Sequence, residues 1–118
     1  MDLRSYLKNN IVYLDGGMGT LLHSRGLKAG ELPERWNVTY PEIITEIHKA
    51  YYDAGSNVVS TNTFGANLLK FDEIELETII KSAVENAKRA REESKTSHPN
   101  GLRLILGQPA KCLPLTAI

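Results

Sequence analysis

The feature that most constrains this fold is a short apolar run that ends at a polar, glycine-bearing loop, because this unit occurs twice. The run over 11–14 ends at Asp15-Gly16-Gly17, and the run over 57–61 ends at the loop 62–65. Runs of this length predict buried strands. Between them, apolar residues recur at helical spacing from Pro41 until Gly55, which predicts an amphipathic helix.

The rest of the chain continues this alternation. A 3.6-residue apolar period predicts a helix over Glu75–Glu93, and Leu102–Leu106 is a third apolar run. Short helices over 2–9 and 20–23 and a long loop up to Tyr40 complete the pattern. Right-handed crossovers between the strands give a parallel sheet, either open and doubly wound or the opening of a (β/α)₈ barrel. A barrel needs about 250 residues. Since the chain has 118 residues, we predict an α/β fold that comprises the first three βα units of an incomplete barrel.

Composition excludes several classes of function. The chain carries 14 Lys plus Arg and 14 Asp plus Glu, so no net charge favours a nucleic-acid partner. Its start lacks the apolar core of a signal peptide, and no stretch approaches the roughly 20 apolar residues that cross a bilayer. We therefore expect a cytoplasmic protein without a nucleic-acid or membrane partner. Cys112 is the one cysteine, which supports neither an internal disulfide nor, alone, a tightly held zinc ion.

The two glycine-bearing loops follow the carboxyl ends of their strands, where parallel α/β folds bind ligands. Gly16 and Gly17 allow the backbone to approach a ligand closely, and the Asp15 carboxylate is suited to holding an ammonium group. An amino-acid substrate fits this arrangement. The alternative is that Asp15 caps the following helix and the glycines only turn the chain. The glycine spacing does not match the dinucleotide-binding fingerprint, and no P-loop lysine follows it, so a nucleotide site is disfavoured.

The other candidate side chains favour structural roles. The three histidines are far apart and share no metal-ligand spacing: His23, His48 and His98. We expect His48 to lie on the flank of a helix. Trp36 and Phe64 lie beside loops, where an aromatic side chain can line a pocket but is more often a packing anchor.

Several linked motifs, in matching order and spacing, resemble the homocysteine S-methyltransferase family. The resemblance covers about 14–104 and is strongest to the amino-terminal homocysteine-binding domain of the family's cobalamin-dependent methionine synthase branch. The motifs read LDGGMGT, PERWN, IH, AGSNVV and TNTFGAN, over 14–20, 33–37, 47–48, 54–59 and 61–67.

This resemblance implies a (β/α)₈ barrel that transfers a methyl group to the thiolate of homocysteine, giving methionine. In the family a zinc ion, held by three cysteines late in the domain, binds that thiolate and makes it nucleophilic at neutral pH. By resemblance Asp15, Gly16, Gly17 and Thr63 bind homocysteine. The zinc cysteines have no counterpart here, so we expect no metal site, no catalytic residue and no activity from this chain alone. Cobalamin and methyltetrahydrofolate are used by other domains of the resembled enzymes.

The resemblance breaks after Leu104. The family reads Leu-Asp-Ile-Gly-Pro-Thr-Gly-Lys, often followed by an apolar pair, whereas this chain reads LILGQPAKCL over 104–113. With one choice of codons the family sequence is CTG GAT ATT GGG CCA ACC GGC AAA ATG CTT, and losing one G from its second codon yields the sequence found here. We therefore interpret 1–104 as the amino-terminal part of a homocysteine-binding domain and 105–118 as an out-of-frame tail. The alternative is that Leu104–Leu106 still completes a third strand before a disordered tail.

Three functional interpretations follow. The chain is an inactive fragment of a methyltransferase, a complementing piece that assembles with a separately encoded remainder, or a small unrelated α/β binding module. The linked motifs argue against the third. In the first two, strand edges without partners favour self-association.

Overall fold

The computed structural model describes residues 3–94 and 102–107. His98, Cys112 and the predicted tail beyond Gly107 lie outside these residues. In chain order the elements are α1 (Leu3–Leu7), α2 (Gly19–Ser24), a 3₁₀ turn (Pro33–Arg35), α3 (Trp36–Thr39), α4 (Pro41–Asp53), β1 (Val58–Ser60), α5 (Glu73–Glu93) and β2 (Leu104–Leu106).

The strands β1 and β2 form a parallel pair connected through α5, which confirms the predicted α/β class. Val58 pairs with Leu104, and Ser60 pairs with Leu106. Parallel strands require a long crossover, and a helix is its usual form.

Side chains from the preceding elements hold β2 in place. The Tyr52 hydroxyl of α4 donates to the Leu104 carbonyl at 2.6 Å. The Arg103 guanidinium donates to the Arg91 carbonyl at 3.0 Å and to the Ser94 carbonyl at 3.1 Å, at the carboxyl end of α5. The two bonds from Arg103 satisfy carbonyls that the end of a helix leaves without an intrahelical partner. Together with the bond from Tyr52, they connect β2 and the residue before it to both long helices.

The segment 11–14, predicted as a buried strand, is neither buried nor a full strand. Leu14 forms an isolated parallel bridge to Val58, and the side chains of Ile11, Tyr13 and Leu14 are 69%, 58% and 67% exposed. Such exposure means that no described element packs over them. The prediction of burial was wrong, because an apolar run shows a preference for a core and does not itself supply the covering element.

The two long helices confirm the predicted amphipathic helices, with small shifts at their ends. Helix α5 begins two residues earlier than predicted, at Glu73, because the Asp72 carboxylate accepts the Glu75 N–H at 2.8 Å and caps the helix. Helix α4 begins at Pro41 and ends at Asp53. The long loop predicted to run up to Tyr40 instead contains the 3₁₀ turn and α3.

Helices α3, α4 and α5 pack against one another, and we call them the helical layer. Trp36 is buried there with Ile44 and Ile47, which confirms Trp36 as a packing anchor. His48 is 0% exposed, so the predicted position on a helix flank is wrong. Ile44, His48 and Tyr52 follow one another at a spacing of four residues, which puts all three on the same buried face of α4.

Across residues 3–94 and 102–107, no helix is both long enough and apolar enough to cross a bilayer.

Candidate functional site

A cavity of about 400 Å³ opens at the carboxyl ends of β1 and of the Leu14 bridge, and we call it the strand-end cavity. This is the edge at which parallel α/β folds bind their ligands. The residues that line it are Asp15, Gly16, Met18, Gly19, Pro33, Glu34, Ser60, Thr61, Asn62 and Phe64. Both predicted loops contribute, so the structure brings together the two segments that the sequence indicated.

Asp15 is anchored to β1 from both its backbone and its side chain. Its N–H donates to the Val58 carbonyl at 2.9 Å. Its carboxylate accepts the Ser60 N–H at 2.9 Å and the Ser60 hydroxyl at 3.3 Å. Burial raises the pKa of the Asp15 carboxyl, and the bonds from Ser60 oppose that rise. The carboxylate is thus positioned at the cavity wall.

The helix-capping alternative for Asp15 is wrong. Helix α2 has Met18 at its N-cap, and no side chain makes a capping hydrogen bond there. The Asp15 carboxylate accepts its hydrogen bonds from Ser60 across the sheet instead.

Gly16 and Gly17 occupy different surroundings. Gly16 lines the cavity, and a Cβ added to it would stand 2.9 Å from the Tyr51 hydroxyl oxygen. That hydroxyl donates to the Gly17 carbonyl at 2.7 Å. Gly17 itself is not among the lining residues, and a Cβ there would meet nothing within 4 Å. The close approach that requires a glycine is therefore to Tyr51, at Gly16.

Thr63 lies behind the cavity wall. Its hydroxyl pairs with the Thr61 hydroxyl at 2.8 Å, and both side chains are buried. Thr61 lines the cavity, and Thr63 does not. Thr63 therefore contacts the lining residue Thr61 through a hydrogen bond and does not itself line the cavity.

Glu34 lines the cavity, although no sequence pattern marks it as a site residue. Glu34 is 4% exposed, and its carboxylate accepts the Gly65 N–H at 3.2 Å. The Asn62 amide donates to the Pro33 carbonyl at 2.9 Å, and the Asn37 amide donates to the Asn62 carbonyl at 2.7 Å. These bonds fasten the 3₁₀ turn to the loop after β1. The PERWN motif resembles the family, but the resemblance assigns no role to its acidic side chain.

Two other expectations about single side chains have different outcomes. Phe64 lines the cavity and is 71% exposed, so its interpretation as a packing anchor is wrong. His23 is exposed, and its Nδ1 lies 2.8 Å from the carbonyl of Leu27, three residues after α2 ends. Neither His23 nor His48 lines the strand-end cavity.

The described residues do not fit a structural or catalytic zinc site. Such sites use three or four Cys, His or carboxylate ligands around one point. Within 3–94 and 102–107, no group of three or more His, Cys, Asp or Glu side chains is close enough to hold a metal. The cavity contributes two carboxylates, Asp15 and Glu34, and no thiol or imidazole.

Comparison with known proteins identifies the class to which this fold and cavity belong. The model of the homocysteine S-methyltransferase family matches residues 12–115. The chain belongs to the homocysteine S-methyltransferase family.

Individual relatives agree with this assignment. The chain is 32% identical to methionine synthase of Mycobacterium leprae (strain TN) over an alignment of 127 positions, and 30% identical to methionine synthase of Mycobacterium tuberculosis (strain ATCC 25618 / H37Rv) over an alignment of 125 positions. Each alignment covers 96% of this chain and 10% of the relative. The chain thus spans about a tenth of the length of the methionine synthases that it matches.

Solved structures show the same relationship. The metallated form of the homocysteine methyltransferase MmuM from Escherichia coli superposes with a TM-score of 0.75 at 30% identity, covering 98% of this chain and 42% of that one. The apo form gives a TM-score of 0.69 at 34% identity, covering 89% and 38%.

Proposed function

We propose that this chain forms the amino-acid-binding side of a homocysteine S-methyltransferase, a barrel of which it contributes the first three βα units. The observation that carries the proposal is the Asp15 carboxylate, fixed by Ser60 at the wall of the strand-end cavity. The 42% coverage of MmuM agrees with a partial barrel. Methyl transfer to homocysteine, giving methionine, is the reaction in which this side takes part.

In this proposal Asp15 receives the α-ammonium group of homocysteine. A charged donor and a charged acceptor form a short and strong hydrogen bond in a partly desolvated cavity. Gly16 supplies a wall without a side chain next to that group, and Gly17 holds the loop through its bond with Tyr51. Thr63 acts indirectly, by holding the hydroxyl of Thr61, a residue that lines the cavity.

Titration of the ¹⁵N-labelled 118-residue chain with homocysteine tests the proposal. We expect weak, saturable shifts of the Ser60 and Gly16 amides. The D15N variant should lose about 10- to 100-fold in affinity, because a charge-assisted hydrogen bond is replaced by a neutral one. The E92Q variant is the matched control, since Glu92 is exposed on α5 far along the chain from the cavity residues. Absence of any saturable shift in the parent chain contradicts the proposal.

We further propose that the chain does not transfer methyl groups by itself, because the cysteines that bind zinc lie in another part of the barrel. Dialysed protein should retain no zinc by elemental analysis and give no methionine from homocysteine with any methyl donor. Stoichiometric zinc after dialysis would refute this. Restored activity on mixing with a separately expressed remainder of a methyltransferase would favour the complementing-piece interpretation.

The exposed apolar edge at 11–14 favours self-association of the 118-residue chain, since an unpaired strand edge is a template for pairing. Ile11 and Leu14 are 69% and 67% exposed at that edge. We propose that replacing both with lysine shifts the chain towards monomer in sedimentation velocity. An unchanged distribution of species rejects the role of this edge.

The change of frame after Leu104 also remains our proposal. Sequencing the gene and restoring one base near codon 105 should open a long frame that encodes late cysteines. A gene without such a frame removes the hypothesis. The cavity residues lie before this position in the chain, so the proposed homocysteine site does not depend on its outcome.

A further inference from the structure

Glu34 carries an oxygen whose burial the fold does not explain. The residue is 4% exposed, and its Oε2 accepts the Gly65 N–H at 3.2 Å. Its Oε1 is buried and has no hydrogen-bond partner among the described residues. Buried polar atoms are nearly always hydrogen-bonded, and an unpaired carboxylate oxygen is costly to bury. This oxygen therefore calls for a donor that the described protein does not supply.

The surroundings of Glu34 indicate what that donor is. Glu34 lines the same cavity as Asp15, and the lining contains no Lys, Arg or His. Two carboxylates without a basic neighbour in the lining favour a cationic group in the cavity. Asp15 already accepts bonds from Ser60 at both carboxylate oxygens, so Glu34 offers the less occupied acceptor.

Lys70 is a cation close to this arrangement. A Cβ added to Gly65 would stand 3.0 Å from the Lys70 ammonium nitrogen and 3.1 Å from Glu34 Oε1. Gly65 therefore leaves the space into which both groups reach. Nevertheless, Lys70 makes no ion pair with Glu34 within the described part of the chain, and Lys70 does not line the cavity.

We propose that Glu34 is a second recognition residue for the amino-acid substrate, whose ammonium group donates to Glu34 Oε1 while also contacting Asp15. An ammonium group has three N–H donors and can bridge two carboxylates. The inference rests on the proposed function and adds to it a residue that selects for the amino group. Glu34 then has two roles, since Oε2 holds the loop at Gly65 and Oε1 binds the ligand.

The test compares two ligands in the 118-residue chain, homocysteine and 4-mercaptobutyrate, which lacks the amino group. In the E34Q variant the side-chain carbonyl still accepts the Gly65 N–H, but the charge is lost. We expect homocysteine to bind about tenfold more weakly and 4-mercaptobutyrate to bind no more weakly than it does to the parent chain. The K70Q variant is the matched control and should not weaken homocysteine binding, because it removes the competing cation.

Each alternative outcome overturns the inference. Equal weakening of both ligands by E34Q means that Glu34 only braces the loop, and unchanged homocysteine binding means that it does not contact the ligand. Loss of homocysteine binding in K70Q means that Lys70 organises the cavity. No homocysteine binding to the parent chain overturns the proposed function as well, whereas the other outcomes leave it standing.

A measurement on the parent chain covers the case in which E34Q does not fold. The Gly65 amide donates to the same carboxylate, so homocysteine should shift its NMR signal and 4-mercaptobutyrate should not. Equal shifts from both ligands, or none from homocysteine, reject the role of Glu34.

Discussion

The strand-end cavity and the helical layer both bury polar side chains, but they satisfy them differently. At the cavity, the Asp15 carboxylate and the Thr61 hydroxyl are hydrogen-bonded to neighbours in the fold. In the helical layer, the Thr45 hydroxyl and both ring nitrogens of His48 are buried without a hydrogen-bond partner among the described residues. Hydrogen bonds thus fix the orientation of the Asp15 and Thr61 side chains at the cavity, where Glu34 Oε1 is a lining oxygen left without a donor from the described part of the chain. In the described helical layer, the side chains of Thr45 and His48 are buried without any such bond.

The largest effect on stability is expected from the buried face of α5, where Ile79 packs with Phe71 and Leu76. I79A should lower the free energy of unfolding by about 2–5 kcal/mol, the cost of a large cavity in a core, since Ile79 is 1% exposed. Chemical denaturation followed by circular dichroism measures the change.

The same substitution on the outer face of the same helix is the control. Ile74 is 81% exposed, so I74A should change the unfolding free energy by no more than about 0.5 kcal/mol. Similar losses from the two variants would show that α5 does not pack as described and would remove the basis for the comparison.

Acidification should act on the layer through His48. Burial lowers the pKa of His48 from 6.5 to about 4, so the unfolded chain binds a proton at higher pH than the folded chain does. Stability is therefore complete above pH 6.5 and falls as the pH drops towards 4. At pH 5 the loss relative to pH 7.5 should be about 2 kcal/mol.

Denaturation curves at the two pH values measure this loss, and H48L provides the comparison. A leucine removes the titration, so the variant should lose most of the difference between pH 7.5 and pH 5. H23Q, at an exposed position, should keep it. Equal stability of the parent chain at both pH values would show that His48 is hydrogen-bonded or solvated. The helical layer would then satisfy this buried polar side chain as the cavity satisfies Asp15.

The smallest effect is expected at the glycines of the cavity loop. G16A forces the Tyr51 ring to move, because a new Cβ would lie 2.9 Å from its hydroxyl oxygen, and it weakens the bond to the Gly17 carbonyl. The cost should be about 1 kcal/mol. G17A adds a methyl group to open space and should cost less. Thermal unfolding ranks the pair, and a reversed order would mean that Tyr51 does not hold this loop.

The sequence predicted the long helices well, since each has a strong apolar period and a clear end signal. The start of α5 was missed by two residues, although Asp72 is a favoured capping residue. The first strand was less predictable, because its assignment required a covering element that no local pattern reveals. Ile11 is apolar and yet exposed.

At the cavity, the sequence predicted which loops form the site but did not predict the hydrogen bonds that hold their side chains. Asp15 was selected for its charge and position, but its anchoring by Ser60 depends on a bridge between segments far apart in sequence. Glu34 was missed because a single acidic residue after a proline is common on surfaces. Its burial becomes visible only when the Gly65 loop folds over it.

The anchoring of Asp15 also orders events during synthesis. Asp15 and Ser60 are 45 residues apart, so Asp15 is synthesised well before its donors. Closing so long a separation carries an entropic cost that local helices do not have. The residues of helix α4 lie between the two in the chain, so they have all been synthesised before that closure. The Asp15 carboxylate is therefore made early and fixed late, because both of its donors belong to residue 60.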